Sequence, residues 1–145
     1  MNTLDGVARH AAREAALQML YQWEVGRASA DEAFATYWPS HDPDGAVTEE
    51  ARAFANGLVR ATIARLGEAD ALIAAHARNW RLERMAVIDR LVLRLGITEL
   101  LNDPDTPPTV VINEALELAR TFSGEEPVPF INGVLDAVRK TLNRA

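Results

Sequence analysis

The 145-residue sequence predicts an all-α fold, a bundle of about seven helices in two packed subdomains. Three observations carry that prediction. Apolar residues recur with helical period over every long segment. No stretch keeps the period-2 alternation of a half-buried strand. The breaks in the helical pattern fall where Pro and Gly cluster.

Taken in order, the first helix spans 8–26. Ala12, Ala16, Leu17, Leu20 and Tyr21 lie on overlapping i, i+4 rows there, and Gly26 ends the run. A short helix over about 30–37 follows. The stretch YWPSHDPDGAV, with two Pro and a Gly, predicts a loop. A third helix, 48–66, places Ala51, Phe54, Ala55, Leu58, Val59 and Ile63 on one face, and after Gly67 a fourth resumes over 68–78. Residues 83–101 are apolar nearly all round, the mark of a helix in the middle of a bundle. Their narrow polar stripe holds Asp89, Arg90, Arg94 and Thr98. NDPDTPP is a loop, and helices over 108–122 and 127–142 complete the chain. The whole is one domain, 1–145, with subdomains of about 1–75 and 76–145.

A chain of this length can bury roughly 68–70% of its unfolded surface, enough for a core without staples. It contains no Cys, which removes disulfides and thiolate metal sites. Its opening, MNTLDGVARHAARE, lacks the apolar run of a signal peptide, and no uncharged stretch is long enough to span a membrane. These features predict a cytoplasmic protein. His10, His41 and His76 form no zinc pattern, and neither a phosphate-binding nor a dinucleotide-binding Gly motif is present. An independent enzyme is therefore disfavoured, with no catalytic residue, metal or cofactor expected.

The net charge of −6 argues against a general nucleic-acid coat, but the charge is unevenly spread. Residues 31–57 carry six acids against Arg52 alone. Residues 78–94 carry Arg78, Arg81, Arg84, Arg90 and Arg94 against Glu83 and Asp89. Arg9 and Arg13 lie one turn apart at the start of the first helix, with His10 between them. Cations there oppose the macrodipole, while the free N–H groups of a helix start suit a phosphate; either an anionic partner or a solvated, Asp5-compensated end fits the residues.

The frame P-x-x-x-I-N occurs twice, at 108–113 and 127–132, 19 residues apart and each followed by an apolar helical run. Pro suits a first helical turn, and Thr106 is the expected cap of the first copy. Each Asn falls past any capping position, where it is a mediocre helix former. Asn113 is expected to be buried and hydrogen-bonded to a neighbouring element. Asn132, beside Phe130, is read either in the same way or as a surface amide that touches a ligand. Phe130 is open to two roles, core packing or a face that stacks an unpaired base. Trp23 and Trp80 read as packing residues.

Residues 12–24, AREAALQMLYQWE, resemble the opening helix of the NusB family of transcription antitermination factors. Residues 79–101, NWRLERMAVIDRLVLRLGITELL, resemble its central helix. Residues 107–136, with INEALELA and F-I-N-G-V-L-D, resemble its most specific stretch, and the likeness runs in order along nearly the whole chain. The resemblance implies an all-helical RNA-binding protein. It would pair with the ribosomal protein that acts as NusE and bind the boxA element of ribosomal RNA leader transcripts. Other Nus factors and RNA polymerase would complete the antitermination complex, which also supports rRNA maturation. The RNA contacts so implied are Arg9, His10, Arg13, Arg94 and Phe130, with Asn132 added from its place beside Phe130. The NusE face so implied is Asp89, with Arg90. The basic N-terminal run is sparser here than in several relatives, and the loop SGEEPVP is acidic beside Phe130.

Two alternatives belong to other classes. A similar helical module forms the N-terminal part of certain rRNA cytosine methyltransferases; no methyl-donor fold or catalytic Cys follows here, so that reading requires a longer chain. A helical adaptor that binds no RNA is the other. A homodimer that covers Arg9 and Arg13 is left open by the sequence.

Overall fold

The computed structural model describes residues 4–77 and 82–144, and all seven α-helices among them agree with the all-α expectation. They are α1 (Gly6–Glu24), α2 (Ala30–His41), α3 (Glu49–Ala64), α4 (Leu66–His76), α5 (Val87–Asn102), α6 (Pro108–Phe122) and α7 (Val128–Thr141), with a 3-10 turn at Leu82–Arg84 before α5. Trp80, with Arg78 and Arg81 of the Arg cluster, lies outside the described residues. The chain forms two compact units, Met1–Arg60 and Ala61–Ala145.

In the first unit α1 packs on α2. Asp5 caps α1 by accepting from the Ala8 N–H at 2.8 Å, and Ser29 caps α2 in a reciprocal box with Glu32. That box is why the Glu32 carboxyl sits below its ordinary range: the Ser29 backbone N–H bonds it first and the Ser29 hydroxyl second. The helix α2 runs past the expected end at 37 through Pro39 to His41. A Pro in the last turn costs only the bond to the carbonyl four residues back, here exposed Ala35, which water can satisfy. Tyr37 and Trp38, both buried, hold that turn against the core. Beyond it, Asp42 accepts from the Ala46 and Val47 N–H groups, each at 2.9 Å, and from Arg52 Nη2 at 2.6 Å. The Arg52 guanidinium in turn lies 5.0 Å from the Trp38 ring centroid. A loop rich in Pro, Gly and acids is thus tied to α3 by one carboxylate.

In the second unit α5 is central. Every residue from Leu91 to Leu100 is buried, as the all-round apolar pattern predicts, and α4, α6 and α7 pack on it. Gly96 marks a close approach: a Cβ there would stand 3.2 Å from Leu135 Cδ2 and 3.5 Å from Ala115 Cβ. Since α4 packs on α5 and α7, it belongs to this unit, and the division falls inside α3 instead of near residue 75. Gly67 does not interrupt a helix; it sits in the first turn of α4, after a break at Arg65. At the far end of α5, Arg144 donates to the carbonyls of Leu100, Asp103 and Thr106. Thr106 does not cap α6 as expected. Its hydroxyl donates to Asp103 Oδ2 at 2.5 Å, and its N–H to Asp103 Oδ1 at 3.1 Å, which closes a turn ahead of the Pro pair.

Candidate functional site

The start of α1 places three predicted residues differently. Arg9 and His10 are half-exposed. His10 Nε2 lies 3.3 Å from Glu14 Oε2, one turn on. Arg9 Nε makes no hydrogen bond among the described residues. Arg13, expected beside them as a phosphate contact, is only 2% exposed, and its guanidinium lies 5.6 Å from the Phe54 ring centroid. The reason is the register of α1. Ala12, Ala15, Ala16, Leu17, Met19 and Leu20 are all buried, so the inward arc is wide enough to take in position 13. Spacing of i, i+4 does not guarantee equal exposure on such a helix.

Arg94 is the second correction. Expected on an exposed stripe, it is 6% exposed and grips Asp70 with both arms: Nε to Oδ1 at 2.7 Å and Nη2 to Oδ2 at 2.9 Å. Its position is one of the buried run of α5, and the acid that compensates it comes from α4, 24 residues earlier. Arg90, on the same stripe, is half-exposed and donates to the Leu82 carbonyl at 3.2 Å. Asn113 is the third. It is exposed, because Val111, Ile112, Ala115 and Leu116 take the inward face of α6. Asn132 is exposed in the same way on α7, outside the buried row of Val128, Ile131, Val134 and Leu135.

Asp89 and Phe130, assigned to different faces by the sequence, meet at one cavity. It measures about 300 Å³ and is lined by Arg84, Met85, Ala86, Asp89, Ser123, Glu126, Pro127 and Phe130. The start of α5 and the turn into α7 form its walls. Asp89 Oδ1 is itself buried and accepts no hydrogen bond among the described residues. Buried polar atoms are rarely left so. The sequence marks Arg84 only as part of a basic cluster and singles out neither Met85 nor Glu126 as a site residue. No local pattern links them to Asp89; only the return of the chain at α7 brings them together. A second cavity, about 380 Å³, lies in the first unit between the alanines of α1 and Tyr37, Trp38 and His41 of α2. Burial pushes the Tyr37 phenol up, with a smaller contribution from Glu14. No cluster able to hold a metal ion occurs among the described residues.

The NusB family model matches residues 10–140. A transcription antitermination protein NusB from Koribacter versatilis is 46% identical over 141 residues, covering 97% of this chain and 94% of the relative. One from Myxococcus xanthus is also 46% identical, covering 94% of this chain and 98% of the relative. Among solved structures, antitermination factors NusB and NusE in complex with double-stranded RNA include a chain that superposes with a TM-score of 0.83 at 26% identity, covering 94% of this chain and 99% of that one. NusB of T. maritima gives 0.78 at 33% identity, over 97% and 93%.

Proposed function

The chain belongs to the NusB family, and from that premise we propose that it is a transcription antitermination factor that binds boxA RNA of ribosomal leader transcripts together with NusE. The match over nearly the full length of curated antitermination proteins carries this reading. A solved NusB–NusE pair with RNA, of the same fold, supports both partners. In this reading the chain is a binding factor and not an enzyme, it works in the cytoplasm, and other Nus factors and RNA polymerase complete the assembly. No helix among the described residues is long and apolar enough to cross a membrane.

On the RNA side we assign Arg9 and His10, which are half-exposed in the first turns of α1, and Asn132, exposed on α7. Arg13 and Arg94, both buried, are left to packing within their own units, against Phe54 and Asp70. Asp89 and Arg90 are assigned to the NusE side. Few phosphate contacts from a chain of net charge −6 mean modest affinity and a shallow salt dependence without a partner. A second subunit adds area and charge. Titration of boxA RNA against the chain, with and without NusE, tests the reading: binding should tighten at least tenfold with NusE. Equal affinity in both arms would refute the shared RNA surface. No NusE complex at all would remove the function proposed.

A further inference from the structure

We propose that the cavity of the first unit, between α1 and the end of α2, binds a small organic cation: a primary ammonium on an apolar or aromatic body, with Glu14 as the acceptor for the ammonium. The proposal does not depend on the RNA and NusE readings above.

The cavity measures about 380 Å³, within the range of small-molecule sites. Its floor is α1. Ala8, Ala11 and Ala15 share one helical face, and each ends at a methyl group, so the helix leaves a recess that longer side chains would close. Its wall is aromatic and held in place by its own contacts. The Tyr37 ring stacks on His41 with centroids 4.0 Å apart, and meets Trp38 edge-on at 5.0 Å. Trp38 in turn donates from Nε1 to Asn56 Oδ1 at 3.0 Å. A ligand therefore finds the rings already ordered, and binding does not have to supply that order.

Charge decides what the ligand is. Among the described residues neither Arg nor Lys lines the cavity, whereas Glu14 and Asp42 do. The two acids differ. Asp42 is saturated: it accepts from the Ala46 and Val47 N–H groups and from Arg52 Nη2. Glu14 lies 3.3 Å from His10 Nε2, longer than the roughly 2.7–2.9 Å of a strong charge-assisted bond, and its side chain is 31% exposed. A carboxylate offers about four acceptor sites, so room for further donors remains. Burial first, and the Glu14 charge second, push the Tyr37 phenol up, as they would where carboxylate and ring face the same space. An ammonium brings N–H donors for Glu14 and a charge that an aromatic wall attracts. An anionic ligand would meet two carboxylates with only His41 to oppose them. A wholly apolar one would cover Glu14 and offer it no donor, which leaves a charge desolvated and unpaired.

The test uses the full chain, with phenethylamine as the probe and 2-phenylethanol as the same body without the charge. Calorimetry measures both. Phenethylamine should bind at one site with a Kd of roughly 0.1–1 mM, a range open to so small a ligand. 2-Phenylethanol should bind at least about tenfold more weakly, the size of one charge-assisted hydrogen bond lost. Glu14→Gln should weaken the amine by about the same factor and leave the alcohol within about twofold of wild type. Ala11→Leu, at an exposed position of the recess, should fill it and weaken both ligands at least about tenfold. Glu49→Gln, at an exposed acid outside the cavity, should change neither. Each variant should be folded at the temperature of the titrations, which a circular dichroism melt checks. Amine and alcohol of equal affinity in wild type would make this a neutral recess and overturn the proposal. Amine affinity unchanged by Glu14→Gln would remove the anchor, and affinity unchanged by Ala11→Leu would place the cation elsewhere on the acidic surface; either result overturns it. So would the absence of saturable amine binding at low-millimolar concentration in the wild-type chain.

Discussion

Breaking the Arg94–Asp70 pair should cost stability and leave RNA binding alone. Both guanidinium–carboxylate contacts are short, 2.7 and 2.9 Å. The Arg94 side chain is 7% exposed and that of Asp70 is 29%. Removing one partner of a fully buried pair costs about 3–5 kcal/mol, mostly from the charge left behind. The two ends differ here. Asp70→Ala takes two short bonds from a buried guanidinium, and with partial screening through the Asp70 side the cost should be about 2–4 kcal/mol. Arg94→Met fills the same space with an apolar chain and leaves an acid that can turn to water, for about 1–2 kcal/mol. At roughly 3 °C per kcal/mol for a chain of this size, Tm should fall about 6–12 °C in the first case and 3–6 °C in the second. Circular dichroism melts read this directly. In the Arg94→Met background, Asp70→Ala should add little, the signature of a coupled pair. RNA titrations of the NusE complex, run well below both melting points, give the decisive comparison. If Arg94→Met lowers the slope of log affinity against log salt by about 0.7, Arg94 neutralises a phosphate. The assignment of a purely internal role would then be wrong.

Three further outcomes are expected. Gly96→Ala gains about 1 kcal/mol of helix propensity but meets Leu135 Cδ2 at 3.2 Å, so its melting point should move little; Gly96→Val, with two more methyls against Leu135 and Ala115, should lose about 2–3 kcal/mol in denaturant titration. Acid should destabilise the first unit through Asp42, whose carboxyl is held below its ordinary 3.8 by the Val47 N–H first and Arg52 next. A lowered folded pKa contributes stability above the unfolded value and loses it as pH falls through the folded one, so the loss should begin only below about pH 4 and be smaller in Asp42→Asn, where only other carboxylates such as Glu32 still contribute. A flat acid limb in wild type would contradict that. Arg144→Met removes the donor from three carbonyls at the end of α5, and should speed hydrogen exchange through residues 103–106 while the centre of α5 stays protected.

The helices were legible because burial and period coincide in them. The run Leu91–Leu100 could hardly be read otherwise, and the start of α6 was set by its Pro pair. Local chemistry misled where a tertiary contact outweighed it. Pro39 looked like a break, yet packing of Tyr37 and Trp38 carries α2 past it. Asn113 looked like a buried amide because it is a poor helix former, yet its face of α6 points to solvent. The site was less legible than the fold for a related reason. A charged residue on a nearly apolar helix reads as exposed, but Arg13 finds the Phe54 ring and Arg94 finds Asp70 inside. Neither partner is predictable from the residues beside it. The family resemblance alone points to Asp89 as a partner contact, and the cavity it shares with Glu126 and Phe130 exists only because α7 returns to the start of α5.

The order of the helices in the chain has a consequence for synthesis. The central helix α5, with its unbroken buried run Leu91–Leu100, is followed by two of the helices that cover it, α6 and α7, and the guanidinium that closes its last turn arrives 44 residues after Leu100. At ribosomal speeds of about 5–20 residues per second, those residues take roughly 2–9 s to appear. Through the first part of that interval the nascent chain carries a sticky segment that neither α6 nor α7 yet shields. Its exposure ends only when the last helix clears the exit tunnel. The helix that makes the second unit rigid once finished is therefore the one that most needs a chaperone, or shelter from the ribosome surface, while the protein is being made.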